Sequence, residues 1–189
     1  MGVDILLCGA PRLERWDGRA FYPMETRPRD RHDNYERDLR PEPVGPPGER
    51  FRRIAAAIAG YAIFPPGLVA GVLRRPVEVG DTVGICYRRF RPLRLFFAAR
   101  VTQVFDGPHP DLLGWWRAGF SYRTLVGHPV LGEETFAVEQ EVATGRLRVA
   151  LRSWSRPGTR LARWCAPLVR RFQVHASHAA LAQLASLAP

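Results

Sequence analysis

The stretch GFSYRTLVGHPVLGEETF, residues 119–136, decides how this chain is read. In its first half Phe120, Tyr122 and Thr124 alternate with Ser121, Arg123 and Leu125, the period of a strand with one buried face. Past the glycines at 127 and 132 the alternation resumes. Glu134, Phe136, Val138 and Val142 share one side, and Thr135, Ala137, Glu139 and Glu141 share the other. Residues 127–132 therefore read as the loop of a β-hairpin. Such a hairpin sets His128 and Glu133 at the two shoulders of one loop, with Tyr122 and Glu134 close by.

The same logic extends outward. Residues 82–88 and 95–105 read as strands, parted by a turn near Arg91-Pro92 and closed by Asp106-Gly107-Pro108. After Thr144-Gly145, Leu147, Val149 and Leu151 alternate with Arg146, Arg148 and Arg152 across residues 146–154. Five strands joined by short turns predict an antiparallel meander, and a sheet with a single apolar face needs a second layer to cover it. The C-terminal segment supplies that layer. Pro157 suits a first helical turn, and Pro167 breaks a helix near Trp164 and begins a longer one. In that longer helix Leu168, Phe172, His175 or Ala176, and Ala179 repeat at helical spacing, followed by Leu184 and Leu187. The expected fold class is α+β: a curved antiparallel sheet gripped by a long C-terminal helix, forming one domain over residues 49–189.

Upstream of that domain, residues 3–8 suit a short strand, and residues 16–48 are polar and rich in Arg, Asp and Pro up to Pro46-Pro47-Gly48. Residues 1–48 read as an extended, partly ordered arm, docked through Trp16, Phe21, Tyr22 and Tyr35, since exposed aromatics would be a liability. Residues 54–73 carry no charge between two pairs of arginines. Their length suits a membrane span, yet Pro65-Pro66-Gly67 interrupts them and arginines at both ends set no orientation. Two helical pieces packed on the sheet are expected, with a membrane-associating hairpin as the alternative.

Totals bound the function. With 189 residues, 46% hydrophobic and 24% charged, the chain is a globular domain and not a disordered one. The net charge is +10, and all 28 basic residues are arginine, spread from Arg12 to Arg171. Beside abundant Ala, Gly and Pro, all residues of GC-rich codons, the excess reads as compositional bias rather than a polyanion surface. Nucleic acid is not expected as a partner, and a polyanion or membrane surface stays a lesser alternative. Cys8, Cys86 and Cys165 lie far apart with no C-x-x-C pair, which argues against a disulfide framework or a zinc site and for a reducing cytoplasm. No P-loop, G-x-G-x-x-G or G-x-S-x-G motif occurs, so no cofactor and no metal are expected.

The run Gly-Phe-x-Tyr-x-Thr-Leu-x-Gly-His-Pro-x-x-Gly-Glu-Glu-x-Phe resembles the signature of DUF1990, a family of bacterial and plant proteins named for its unknown function. Flanking segments resemble it too: Pro76-Val77-Glu78-Val79-Gly80-Asp81, Ser155-Arg156-Pro157, Pro167-Leu168-Val169-Arg170-Arg171 and Gln173. The resemblance runs from about residue 51 to residue 184. It departs from the family pattern at residues 108–118, which look inserted, and near Ser177, where a tyrosine is expected. The order of elements is similar to the helix-grip architecture of START and Bet v 1 type proteins, a scaffold that serves ligand carriers and some cyclases. That implies a cavity between sheet and helix, but not an activity.

Within this frame His128, Glu134 and Tyr122 are the candidate chemical groups. A histidine and a carboxylate in reach of each other suit general acid–base work, and a tyrosine suits hydrogen-bond donation to a developing charge. Phe120, Thr124, Glu133, Arg156, Arg171 and Trp115 are candidate ligand contacts, and glycines at 127 and 132 would admit a ligand close to the backbone. His175 and His178 read as an exposed helical face rather than a metal pair. The expected function is binding of a small hydrophobic or amphipathic molecule in a cavity of roughly 300 Å³ or more. An enzyme with cyclase, isomerase or hydrolase-like acid–base chemistry at the same cluster is the alternative.

Overall fold

The hairpin expected at residues 119–136 forms the centre of an antiparallel sheet in the computed structural model, which describes residues 4–6, 12–23, 30–90 and 93–188. Among the described residues there are eight strands and four helices. In chain order they are β1 (Asp4–Leu6), α1 (Glu14–Asp17), β2 (Arg31–Leu39), α2 (Glu49–Ala59), β3 (Val69–Val72), β4 (Thr82–Phe90), β5 (Leu93–Pro108), β6 (Trp115–Thr124), β7 (Val130–Glu141), β8 (Leu147–Pro157), α3 (Arg160–Trp164) and α4 (Ala166–Ser186).

Strands β4 to β8 form the expected meander, with β3 beyond β4 and β2 beyond β8 as the two edges, while β1 pairs with β5 off this path. Register follows the alternation seen in the sequence: Phe120 lies opposite Phe136, and Tyr122 opposite Glu134. Phe120, Phe136, Val138, Val149 and Leu151 are buried on the inner face with Ile54 and Ile58 of α2 and Leu181 and Leu184 of α4. The strands around residues 108–118 run straight through the apparent insertion, since β5 continues to Pro108 and β6 begins at Trp115.

Four expectations are corrected. The arm does more than wrap: β2 adds nine paired positions along β8, from Arg31 opposite Ser155 to Leu39 opposite Leu147. The buried Glu42 carboxylate accepts a hydrogen bond from the Phe51 amide in the first turn of α2, so the chain is continuous in structure across residue 48. Residues 54–73 are not two helices. Only α2 is helical; after Pro65-Pro66 the β-branched Val69 and Val72 enter edge strand β3 beside β4. The stripe of α4 that faces the sheet runs through Val169, Phe172, Gln173, Ala176 and Ser177, and Leu168 is exposed. Two polar residues lie within that stripe, which is why a count of apolar positions slid to Leu168. Pro157 ends β8 rather than opening a helix.

The sheet is covered on part of its second face as well. Trp16 is fully buried there with Leu13, Cys86, Phe96, Ala98 and Leu125, so the aromatics at the start of the chain do dock. The expected turn at Arg91-Pro92, and Leu7 and Cys8 of the first strand, lie outside the described residues.

Gly119 marks where the hairpin admits no side chain. Its φ is +156°, and a Cβ there would stand 2.0 Å from the Phe136 carbonyl oxygen across the ladder. Gly119→Ala is therefore expected to destabilise the fold by about 1–3 kcal/mol, read as a lower urea midpoint with unchanged m-value.

Candidate functional site

Between α4 and the inner face of the sheet lies a cavity of about 220 Å³. Its walls are mostly aromatic and aliphatic: Tyr61, Phe64, Phe97, Phe172, Val169 and Ala176. The volume is smaller than the sequence led us to expect. It falls between the ~150 Å³ of a cavity that holds benzene and the ~300 Å³ at which drug-sized pockets begin. The difference arises because Tyr61 and Phe64, on the turn after α2, fill the inner end of the space with Phe120 and Phe136.

The polar groups come from the hairpin. Tyr122 on β6 and Glu134 on β7 face each other in register, and the tyrosine hydroxyl donates a 2.5 Å hydrogen bond to Glu134 Oε2. Protein surrounds the Glu134 carboxyl, and what remains open of it belongs to the cavity. Burial penalises the carboxylate and pushes its pKa up to about 7, against the partial relief of the Tyr122 hydrogen bond, with Asp33 raising it further. The Tyr122 hydroxyl is pushed well above its ordinary value by the same desolvation and by Glu134. At neutral pH the pair therefore holds a proton that is easily gained or lost.

Tyr61 stands above this pair and is held under strain. It follows Gly60 at the end of α2, where its amide donates to the Ile58 carbonyl and that of Ala62 donates to the Ala57 carbonyl. These two bonds define a Schellman cap. The left-handed position of that cap usually belongs to glycine, yet Tyr61 takes it with φ +55°. Gly71 on β3 makes room for the ring, since a Cβ there would meet Tyr61 Cδ1 at 2.3 Å. The Tyr61 hydroxyl is buried and makes no hydrogen bond of normal length, although the Tyr122 hydroxyl is near enough for the two to perturb each other.

His128 shares this condition. Its Nδ1 lies 2.6 Å from the carbonyl oxygen and 3.0 Å from the amide of Val130, so one ring nitrogen satisfies the loop. The other, Nε2, is buried and has no partner. Burial pulls the His128 pKa down to about 3, only partly countered by the Val130 backbone, and the ring is neutral at physiological pH. The loop itself is pinned from outside: the Tyr22 hydroxyl donates to the His128 carbonyl at 2.9 Å and accepts from the Gly127 amide at 3.0 Å.

His128, Glu134, Tyr122, Thr124 and Glu133 thus border one cavity. The other candidates lie elsewhere. Phe120 is buried behind it in the core. Trp115 is a correction: β6 extends back to it, and its odd position in the alternation puts it on the outer face, with the Arg148 guanidinium 4.5 Å over its ring. Arg156 pairs with Asp30 at 3.3 Å, and Arg171 is exposed on α4; neither borders the cavity. Gly132 does border it, but its missing Cβ chiefly admits the Trp154 carbonyl of β8 at 2.2 Å. His175 and His178 are exposed, and among the described residues no cluster of three metal-ligating side chains occurs. Sequence reading missed Tyr61, Asp33 and Ser177 as cavity residues. Only the Gly60-Tyr61 step at a helix end hinted at the first.

A family model described as "Domain of unknown function (DUF1990)" matches residues 23–183. The chain belongs to the DUF1990 family. The match begins upstream of the expected residue 51 because β2 is part of the sheet. Two curated relatives carry the description "UPF0548 protein". One, from Dictyostelium discoideum, is 29% identical over 76% of this chain and 68% of its own length. The other, from Deinococcus radiodurans, is 33% identical over 63% of this chain and 61% of its own length. Among solved structures, a norcoclaurine synthase point mutant from Thalictrum aligns at 10% identity over 82% of this chain and 94% of that one, with a TM-score of 0.46. The structure titled Ara h 8.0201 aligns at 8% identity over 83% and 99%, with a TM-score of 0.45. The fold assignment of this DUF1990 chain rests on its own strand order and covering helix.

Some of the arginines are paired inside the molecule. Glu139, on the outer face of β7 and fully buried, is held by Arg148 at 2.7 Å and Arg152 at 2.5 Å, which both reach Glu36 of β2. Burial alone would raise the Glu139 pKa, but the two guanidiniums hold it below its ordinary value. No helix of the described residues is long and apolar enough to cross a membrane.

The ionisation of Glu134 has a measurable sign. Its folded pKa, about 7, lies above the ordinary 4.5, so the fold favours the protonated form. Stability from this group is present below pH 4.5 and is lost as pH rises to 7, by about 3 kcal/mol. Glu134→Gln is expected to melt progressively higher than the natural protein across that window, with a constant gap above it, in thermal denaturation followed by circular dichroism. His128 acts oppositely, losing stability as pH falls through 6.5, and cancels in the difference between the two proteins.

Proposed function

We propose that the protein reversibly binds a small, mainly apolar molecule with one polar group in the cavity between α4 and the sheet. One observation carries this reading. Tyr61 Oη and His128 Nε2 are both buried, neither makes a hydrogen bond of normal length within the protein, and both belong to residues bordering the same apolar-walled space. Folded chains satisfy nearly all such atoms, and each left unmade costs about 1–3 kcal/mol. A ligand that supplies their partners offsets that cost on binding. The left-handed backbone of Tyr61 supports the reading, because strain of about 1–3 kcal/mol persists where surrounding structure enforces it, often at binding sites.

A second reading, an acid–base enzyme, is favoured by one specific feature. A carboxyl with a pKa near 7, hydrogen-bonded to a tyrosine and bordering the same cavity as a neutral imidazole, matches what proton transfer at neutral pH needs. Under it, the bound molecule is turned over with a rate governed by one ionisation near pH 7; recovery of the molecule unchanged after long incubation rejects it.

Native mass spectrometry of the protein purified from its own host tests binding directly. The expected result is a co-purifying molecule, absent from Ala176→Trp, which fills the cavity. Tyr61→Phe is expected to melt at or above the temperature of the natural protein while binding roughly three- to tenfold more weakly, the loss of one hydrogen bond. An empty protein that also fails to bind extracted host metabolites contradicts the proposal.

A further inference from the structure

The cavity is acidic in a chain that is strongly basic. Asp33 and Glu134 border it from inner-face positions, Glu133 only from an outer-face position opposite Arg123, and no arginine borders it, although the net charge is +10. The nearest cations are already engaged. Arg170 on α4 clasps both Asp33 oxygens at 2.5 and 2.6 Å and also donates to the Tyr35 hydroxyl. Arg123, opposite Glu133 in the ladder, donates to the Tyr22 carbonyl and lies over the Phe21 ring. Glu134 has the Tyr122 hydroxyl and, among the described residues, no cation within ion-pair distance. Its second oxygen and the Tyr61 hydroxyl are acceptors at a space walled by Tyr61, Phe64, Tyr87, Phe97, Tyr122 and Phe172.

We infer that this cavity selects a protonated amine carried on a compact apolar body, with the ammonium placed between the Glu134 carboxylate, the Tyr61 hydroxyl and the surrounding aromatic faces. The inference rests on the proposed binding function and names the chemical class of its ligand. An ammonium brings three donors and no acceptor, which fits a site offering acceptors, and aromatic faces attract a cation further. A carboxylate or phosphate would instead meet the Glu134 carboxylate, with Arg170 already engaged by Asp33 and no arginine bordering the cavity, an arrangement that rejects it. His128 adds no repulsion, because burial keeps its ring neutral.

The groups facing Glu134 across the cavity are Tyr122 from β6, Tyr61 from the turn after α2, Asp33 from β2 and His128 from the β6–β7 loop. From α4 the polar groups are the uncharged Gln173 and Ser177, with Arg170 of the same helix held on Asp33, and β4 adds Tyr87. Glu134 is thus the group whose ionisation gates the cation. An aliphatic amine stays protonated up to about pH 10, so its affinity follows the ionised fraction of Glu134 and rises about tenfold between about pH 6 and about pH 8.

Calorimetric titration with phenethylamine, phenylacetate and phenethyl alcohol, at about pH 6 and about pH 8, reads this out. The amine is expected to bind most tightly and to gain about tenfold at the higher pH. The alcohol is expected to bind more weakly without pH dependence, and phenylacetate to bind least. Glu134→Gln erases the preference for amine over alcohol together with its pH dependence. Tyr122→Phe, which removes a hydrogen bond that holds the Glu134 pKa down, moves the midpoint of the pH dependence upward and serves if Glu134→Gln does not fold. Alcohol or phenylacetate binding as tightly as the amine at both pH values overturns the amine inference and leaves the cavity reading standing. Binding by none of the three contradicts both.

Discussion

The structure turns on one hydrogen bond, from the Tyr122 hydroxyl to the Glu134 carboxyl across β6 and β7. Strand register alone places the two side chains opposite each other. Inner-face burial then removes the carboxyl from most of the solvent that would keep it ionised. A carboxylate with a cation beside it would ionise readily in such a place, as Glu139 does on the opposite face between Arg148 and Arg152. Two glutamates on one strand are thus driven in opposite directions, and the partner supplied by the fold makes the difference. Glu139 is a structural anchor. Glu134 holds a labile proton at the edge of a cavity.

Around that pair the chain accepts local costs. Tyr61 occupies a left-handed cap position that glycine fills with less strain, and its hydroxyl is left without a hydrogen bond of normal length. Gly71 gives up its side chain so that the Tyr61 ring fits. Arg170 and Asp33 tie α4 to the edge strand β2 and hold the helix over the opening. The Tyr22 hydroxyl fixes the loop that carries His128. These features lie on separate segments, yet each shapes or braces the same small volume, at a local cost in stability.

The central meander was legible because β6 to β8 alternate in step with their hydrogen-bond register and short turns join the strands, while β4 and β5 keep the pattern on either side of local register shifts. The two edges were not. β2 has no apolar alternation, since an edge strand facing charged neighbours can be polar on both sides. Val69 to Val72 follow an unbroken apolar run in which periodicity cannot separate strand from helix. At the site, the alternation of Tyr122 and Thr124 placed Glu134 on the cavity side, with His128 in the loop that follows, while Glu133 takes the opposite parity across from Arg123. It equally puts Trp115 on the outer face, a consequence hidden while residues 108–118 looked like a loop. Asp33 carries no local signal and Tyr61 only the Gly60-Tyr61 step at a helix end, because their role arises only when the turn after α2 and the edge strand close over the sheet. The inner stripe of α4 was misplaced by one position because Gln173 and Ser177 line a cavity rather than a dry core.

The central claim is that folding leaves Glu134 near the midpoint of its ionisation at neutral pH. Carbon-13 NMR titration of the glutamate side-chain carboxyls, with the Glu134 resonance assigned by its absence from Glu134→Gln, measures that most directly. The account predicts a midpoint near 7 for this resonance. A midpoint in the ordinary carboxylate range near 4.5 would contradict it, leaving the Tyr122 hydrogen bond as a structural contact with no proton to offer a ligand.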